Sequence, residues 1–369
     1  MKVKLLSILF AVLLLTIVIS GCFEEKPKTS SYDILVDDDG DADYSKIQDA
    51  IDNASNGDTI YVKSGTYNER ITISKKIKLI GEDKYKTIID KKITSDSNDK
   101  TAIDILANFV TFERFTIDNY DYAVYIYSSY NKIFNNIFRN NSVALFLSSA
   151  IGNNITNNIL DNNPILLRYG SKYNYITHND ISNSLSGIEL MDSNNNIIKN
   201  NDLSSSQNGI GLWSSNNNEI IDNIIKNMTA EGIASGSSNY NLISKNSIID
   251  SNQGIVLLKS SNNKIKFNSV LDNEYGLMIH SLSENNTIYQ NNFENTIANC
   301  LDGSTDLKNN SNVFYNESIK TGNYWDDYNG LDLDDDGLGD TIYIIYDTNP
   351  YNPVAANQDK YPSINPLDI

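Results

Sequence analysis

The side chains whose types and spacing could do chemistry are few, and the densest group lies near the C-terminus. Asp332, Asp334, Asp336, Gly337 and Asp340 fall at positions 1, 3, 5, 6 and 9 of a calcium-binding loop. Alternating carboxylates around a glycine turn supply hard oxygen ligands, so Asp332, Asp334, Asp336 and Asp340 are candidate ligands for a structural Ca2+. Position 12 is Tyr343, where a bidentate glutamate would complete an EF-hand, so the loop is not a full EF-hand. The plainer reading is a solvated acidic turn. The run from Asp37 to Asp43 is a weaker version of the same pattern. Copper would need soft or imidazole ligands, and the candidates are His178, His280, Met191, Met228, Met278 and Cys300. Met278 and His280 could form half a site, but Met191 belongs to a repeat four units earlier, roughly 19 Å away at about 4.8 Å per unit. A copper cofactor is therefore not expected.

These residues are carried by a repeat. The phrase N-x-I-x-x-N-x-I recurs from Asn131 to Asn286, and its first asparagines are spaced by 22, 21, 22, 22, 23, 22 and 23 residues. Weaker copies are read at Asn108/Val110/Glu113/Phe115 and at Asn312/Phe314/Glu317/Ile319. Such a period denotes stacked units. Apolar residues alternate with a strand period, and a second strand precedes each phrase, as in Gly187–Leu190 and Gly209–Leu212. The chain is therefore all-β, a right-handed single-stranded parallel β-helix of roughly 10–12 coils. The asparagines are expected to take the left-handed corner conformation and to hydrogen-bond along the axis as a ladder.

If Ile188 and Leu190 point inward, Glu189 and Met191 point outward. The equivalent outward strip includes Tyr125, Tyr127, Phe146, Arg168, Trp213, Met278 and His280. Tyr125, Tyr127, Phe146 and Trp213 could stack on sugar rings, with Arg168, Glu189, Asp192 and His280 as polar partners. The plainer reading is that a loop covers the strip. Glu189, Arg168 and Asp192 are also the weak catalytic candidates, because a carboxylate beside an arginine on the adjacent coil suits sugar chemistry as well as an ordinary ion pair.

Both ends differ from the repeat. Residues 1–21 read as a lipoprotein-type signal peptide, with Cys22 as the lipidated residue, and 22–31 as a polar tether. Residues 32–82 form an N-terminal cap and the first coils, 83–320 the asparagine repeats, and 321–369 an irregular C-terminal cap holding the acidic loop. Ser45 and Gln48 have capping-box spacing ahead of an apolar helical stripe at Ile47, Ala50, Ile51 and Ala54, which would cover the open edge of the first coil. Cys300 reads as a small buried apolar residue. The formal charge of −18 would repel nucleic acid, which is excluded as a partner.

The segment DYSKIQDAIDNASNGDTIYVKSGTYNERITISKKIKLIGE (Asp43–Glu82) resembles the opening of NosD-type and pectin-enzyme-like parallel β-helices. Gly322–Tyr328, Gly330, the acidic loop and Asp359–Pro362 resemble the C-terminal cap of NosD-like archaeal surface proteins, and the likeness spans roughly Asp33 to Pro366. The resemblance implies the fold and a spread of roles. It points to a carbohydrate-binding or structural module on the cell surface, with a polysaccharide or cell-wall glycan as partner and the membrane reached through lipid at Cys22. The alternatives are a polysaccharide-modifying enzyme (lyase, hydrolase or epimerase) using the outward strand face, and a copper-delivery accessory protein.

Overall fold

The computed structural model describes residues 32–91, 100–304, 311–348 and 353–369. The signal peptide, the tether and Cys22 lie outside the described residues. Within them the chain winds into a parallel β-solenoid of about twelve turns, because each 22-residue unit holds three short strands that pair with their copies in the next unit. One full unit runs Lys132–Phe134, Ile137–Arg139 and Val143–Ser148, then returns to Asn154–Thr156 above the first strand. The strands collect into three sheets, here called I, II and III in that order. Sheets I and II have 12 strands each, and sheet III has 13. Each strand sends one or two aliphatic residues inward, so Ile133, Ile155, Ile176, Ile198 and Ile220 stack as fully buried neighbours.

The asparagines form two uninterrupted ladders. One climbs the corner between sheets III and I from Asn131 through Asn153, Asn174 and Asn196 to Asn286 and Asn312. The other climbs the corner between I and II from Asn136 to Asn291 and Asn323. Every rung has one polarity: the amide Nδ2 donates toward the C-terminal end and Oδ1 accepts the backbone N–H of the preceding coil. The repeated asparagines are not the left-handed residues. That conformation falls on the residue before each rung from Asn131 to Asn291, for example Asn135 (φ 58°), Asn157 (φ 56°) and Asn200 (φ 55°). The physical reason is that the rung must turn its amide inward, and the preceding residue makes the bend.

The structure corrects both weak copies. Strand register places Thr111 beside Lys132, so the early copy is Val110/Phe112/Phe115, two residues later than the spacing suggested. Asn312 does continue the first ladder, but the second passes to Asn323 and not to Glu317. A third, mixed ladder on the corner between II and III uses Asn141 and Asn163, then Ser184 and Ser206, is broken by the buried Met228, and resumes with Ser251, Asn273 and Asn295. The uniform polarity leaves an orphan N–H2 at the C-terminal end of each ladder, and each meets a carboxylate. Asn312 donates toward Asp302, Asn323 to Asp359, and Asn295 through Asn299 to Asp326 and Asp327. Asp359 is buried and accepts four N–H bonds, from the backbones of Asn323 and Tyr361 and the side chains of Asn323 and Trp325. Burial nevertheless outweighs these donors and pushes its carboxyl up to about 6.

At the other end a short helix, Ile47–Asn53, buries Ile47, Ala50 and Ile51 against the first strands. Its start is not capped by Ser45. Lys46 occupies the N-cap without a side-chain bond, and Glu69 accepts the N–H groups of Ile47 and Gln48 at 2.8 and 2.9 Å. Gln48 turns to the sheet instead: its amide exchanges hydrogen bonds with the backbone of Thr72, on the first strand of sheet III. Tertiary partners thus displaced the local capping box. At the far end a hairpin of Tyr343–Tyr346 and Ala355–Asp359 extends sheet III. Cys300 is buried on the last coil, and burial pushes its thiol pKa well up, as suits a core residue.

Candidate functional site

The outward face of sheet III is where the polar and aromatic side chains converge. Parallel pairing sets Thr72, Asp104, Tyr125, Phe146, Leu166, Glu189 and Gly211 in one row, one residue per coil. A second row at the strand ends carries Ser148 and Arg168, then Met191, Trp213, Gly236 and Leu258. The face is open. Tyr127 is 50% exposed, Met191 41%, Leu258 40% and Trp213 38%. Phe146, by contrast, is buried between its neighbours.

The N-terminal part of this face is a cleft of about 530 Å3 lined by Arg70, Lys100, Asp104, Leu106 and three tyrosines. Tyr125 stacks on Tyr127 with ring centroids 4.1 Å apart and 11° between planes, and it lies 4.5 Å from the Phe146 ring. Tyr122 meets Phe146 edge-on at 5.7 Å. Asp104 stands at the base, with Arg70 Nη2 at 2.8 Å from its Oδ2. Partial burial, then the neighbouring Tyr125 hydroxyl, pushes Tyr127 up to about 12, so its hydroxyl stays protonated near neutral pH. Asp104 and Arg70 were not singled out from sequence. The two-residue offset in the early repeat hid them, although Ile103-Asp104-Ile105 carries the outward-polar alternation of a strand.

One and two coils past Phe146 lies a second feature. Arg168 and Glu189 pair at 3.0 Å, and the buried Arg168 Nη1 has no partner among the described residues. On the next coil Trp213 lies flat along the sheet because glycines stand beneath it. A Cβ at Gly236 would come within 2.4 Å of the indole ring, and one at Gly211 within 3.2 Å of Nε1. Glu189 also lines a groove of about 620 Å3 with Val143, Pro164, Leu166 and Leu185. The structure therefore brings together Tyr125, Tyr127 and Phe146, and separately Arg168, Glu189 and Trp213. It does not bring in Asp192, which lies past the strand on the corner with φ 50°, exposed. His280 follows the strand Tyr275–Ile279 near the C-terminal end of the face, remote from both groups.

Asp104 and Glu189 are four coils apart, roughly 19 Å, which rules this pair out as the two carboxyls of a retaining glycosidase, about 5–5.5 Å apart. In the acidic loop Asp332, Asp334 and Asp340 place carboxylate oxygens within 4.8 Å of one another. Asp336 is not in that group; its Oδ1 accepts the Leu338 N–H, and its own N–H donates to Asp332. The soft ligands do not assemble. Met191 and the Met278/His280 pair occupy coils four apart on sheet III, Met228 is buried on another corner, and Cys300 is in the core.

A family model described as periplasmic copper-binding protein (NosD) matches residues 51–221 and 165–330, and the chain belongs to that family of right-handed β-helices. No curated protein sequence matches. Among solved structures, the A-module of mannuronan C-5 epimerase AlgE6 from Azotobacter vinelandii is similar at 14% identity and a TM-score of 0.54, over 72% of this chain and 92% of that one. DFA-IIIase from Arthrobacter chlorophenolicus A6 is similar at 12% identity and a TM-score of 0.56, over 72% and 80%. The GH136 lacto-N-biosidase from Eubacterium ramulus is similar at 11% identity and a TM-score of 0.59, over 76% and 66%. At these identities the likeness is one of fold. Among the described residues the soft and imidazole side chains do not converge, so they do not fit the family's copper. No helix among the described residues is long and apolar enough to cross a membrane.

Proposed function

We propose that this NosD-family chain is an extracytoplasmic carbohydrate-binding β-helix, held at the membrane through lipid at Cys22, that lays a glycan along the outward face of sheet III. The observation that carries the reading is the open cleft in which Tyr122, Tyr125 and Tyr127 surround the Arg70–Asp104 pair. Aromatic faces shed water readily against the C–H face of a sugar, while a fixed ion pair offers donors and acceptors to its hydroxyls. The Trp213 shelf beside Arg168 and Glu189 repeats the same combination farther along. The structural neighbours act on carbohydrate by their names, which supports the ligand class. The test is a glycan array with the full chain, comparing wild type with Tyr125→Ala and Trp213→Ala. Binding lost in both variants supports the reading; no glycan bound, or binding indifferent to both, sinks it.

A second reading, modification of the polysaccharide, rests on Asp104, the one carboxylate among the residues lining the cleft, beside the tyrosine donor Tyr127. Release of unsaturated sugars or new reducing ends, abolished by Asp104→Asn but not by Glu189→Ala, would favour it.

A further inference from the structure

We infer that the corner joining sheets III and I carries a second glycan-stacking site, built on Phe109, Tyr130 and Tyr173 and suited to a carboxylated chain; it rests on the reading that this protein binds glycans. Among the described residues, six phenylalanine or tyrosine side chains sit at positive φ. Five of them, Phe109, Tyr130, Tyr169, Tyr173 and Tyr240, lie on this one corner, and only Phe267 lies elsewhere. Left-handed backbone is costly for a bulky residue and cheap for asparagine. At the position of Phe109, Tyr130, Tyr173 and Tyr240 the rod shows the cheap solution on other coils, where Asn195, Asn217, Asn262 and Asn285 take φ 55–59°. Strain kept where the chain demonstrably has an alternative points to a role for the rings.

The rings are also displayed rather than packed. Phe109, Tyr130 and Tyr173 are 54%, 53% and 53% exposed. Phe109 and Tyr130 stack at 5.3 Å with 12° between planes, an aromatic pair that spans two adjacent coils. Gly152 occupies the next coil (φ 66°), and a Cβ there would meet the Tyr130 ring at 2.7 Å, so the glycine leaves room for the ring to lean along the axis. Tyr173 follows two coils beyond Tyr130, roughly 10 Å along the axis. Lys76 Nζ lies 5.5 Å from the Phe109 ring and Lys172 Nζ 5.8 Å from Tyr173. Each ammonium sits over a ring face, and on a chain of net charge −18 it is a local partner for a carboxylate on a sugar chain that packs against the ring surface left exposed. Tyr127, at the edge of the sheet III cleft, is three residues before Tyr130, so a long chain leaving the cleft passes onto this corner.

The test uses the full chain with long polygalacturonate and with tetragalacturonate as probes. The corner variant is Phe109→Asn/Tyr130→Asn/Tyr173→Asn, which installs the residue the rod already uses there; the cleft variant is Tyr125→Ala/Trp213→Ala. The expected result for the corner variant is polygalacturonate affinity about tenfold weaker, unchanged tetramer affinity and a melting temperature no lower than wild type. Unchanged polygalacturonate affinity in the corner variant overturns the inference, as does a wild type that ignores this polymer. Sedimentation with phosphatidylglycerol vesicles that the corner variant alone loses, without polymer binding, also overturns it and assigns the corner to lipid. Loss confined to the cleft variant removes the corner site and leaves the sheet III reading standing; loss confined to the corner variant does the reverse.

Discussion

Replacing Asn201 with alanine should destabilise the middle of the rod by about 3–5 kcal/mol. Its Oδ1 accepts the Asn179 backbone N–H and the Asn179 Nδ2, both at 3.0 Å. Its Nδ2 donates to the carbonyls of Ile176 and Lys199 and to Asn223 Oδ1, at 2.9, 3.2 and 3.0 Å. After truncation Asn179 Nδ2 keeps the Ile155 carbonyl, and Asn223 Oδ1 keeps the Asn201 N–H. The Asn179 backbone N–H loses its acceptor in a site that excludes water, a cost of about 1–3 kcal/mol alone. The lost ladder bonds and the small void supply the rest. Urea unfolding followed by circular dichroism gives the global loss. Amide exchange at Asn179 gives the local one, since a stacked repeat can open near a defect before it unfolds throughout. A loss below about 1 kcal/mol, with Asn179 exchange unchanged, would refute the claim that the ladder supports the rod.

Other expectations follow from the same contacts. Gly236→Ala should displace the Trp213 ring, since the new Cβ would lie 2.4 Å from it, and weaken glycan binding as much as Trp213→Ala while barely moving the melting temperature. The Asp359 carboxyl, raised to about 6, holds its proton longer in the fold than in the unfolded chain. Its stabilising contribution is therefore complete below about pH 4 and falls by about 3 kcal/mol as pH rises to 6. Unfolding measured from pH 4 to 7 should show that slope in wild type and lose it in Asp359→Asn. We propose that Ca2+ binds Asp332, Asp334 and Asp340; chelation should then lower the melting temperature of wild type and leave Asp332→Ala/Asp334→Ala unmoved.

The fold was legible because a solenoid writes its period into the chain. The asparagine spacing and the Gly-Ile-x-Leu strands sufficed to place Glu189 beside Arg168 and Tyr125 beside Phe146. What was not legible depended on contacts between distant positions. Asp104 pairs with Arg70 across 34 residues, in coils where Val110 and Phe115 take the ladder positions, so the repeat lost its phase there. Glu69 caps the helix from 22 residues away, which no local capping pattern encodes. The third ladder mixes serine with asparagine, so its identity dissolves in a polar background. The carboxylates ending each ladder are visible only once the shared direction of the amides is known.

The most direct test of the binding account is where a bound sugar lands. A photo-crosslinkable oligosaccharide taken from the strongest hit of the array should mark peptides containing Tyr125 and Tyr127, with a second cluster at Arg168 to Trp213. Marking confined to sheets I and II, with both peptides clean, would contradict the assignment of the sheet III face.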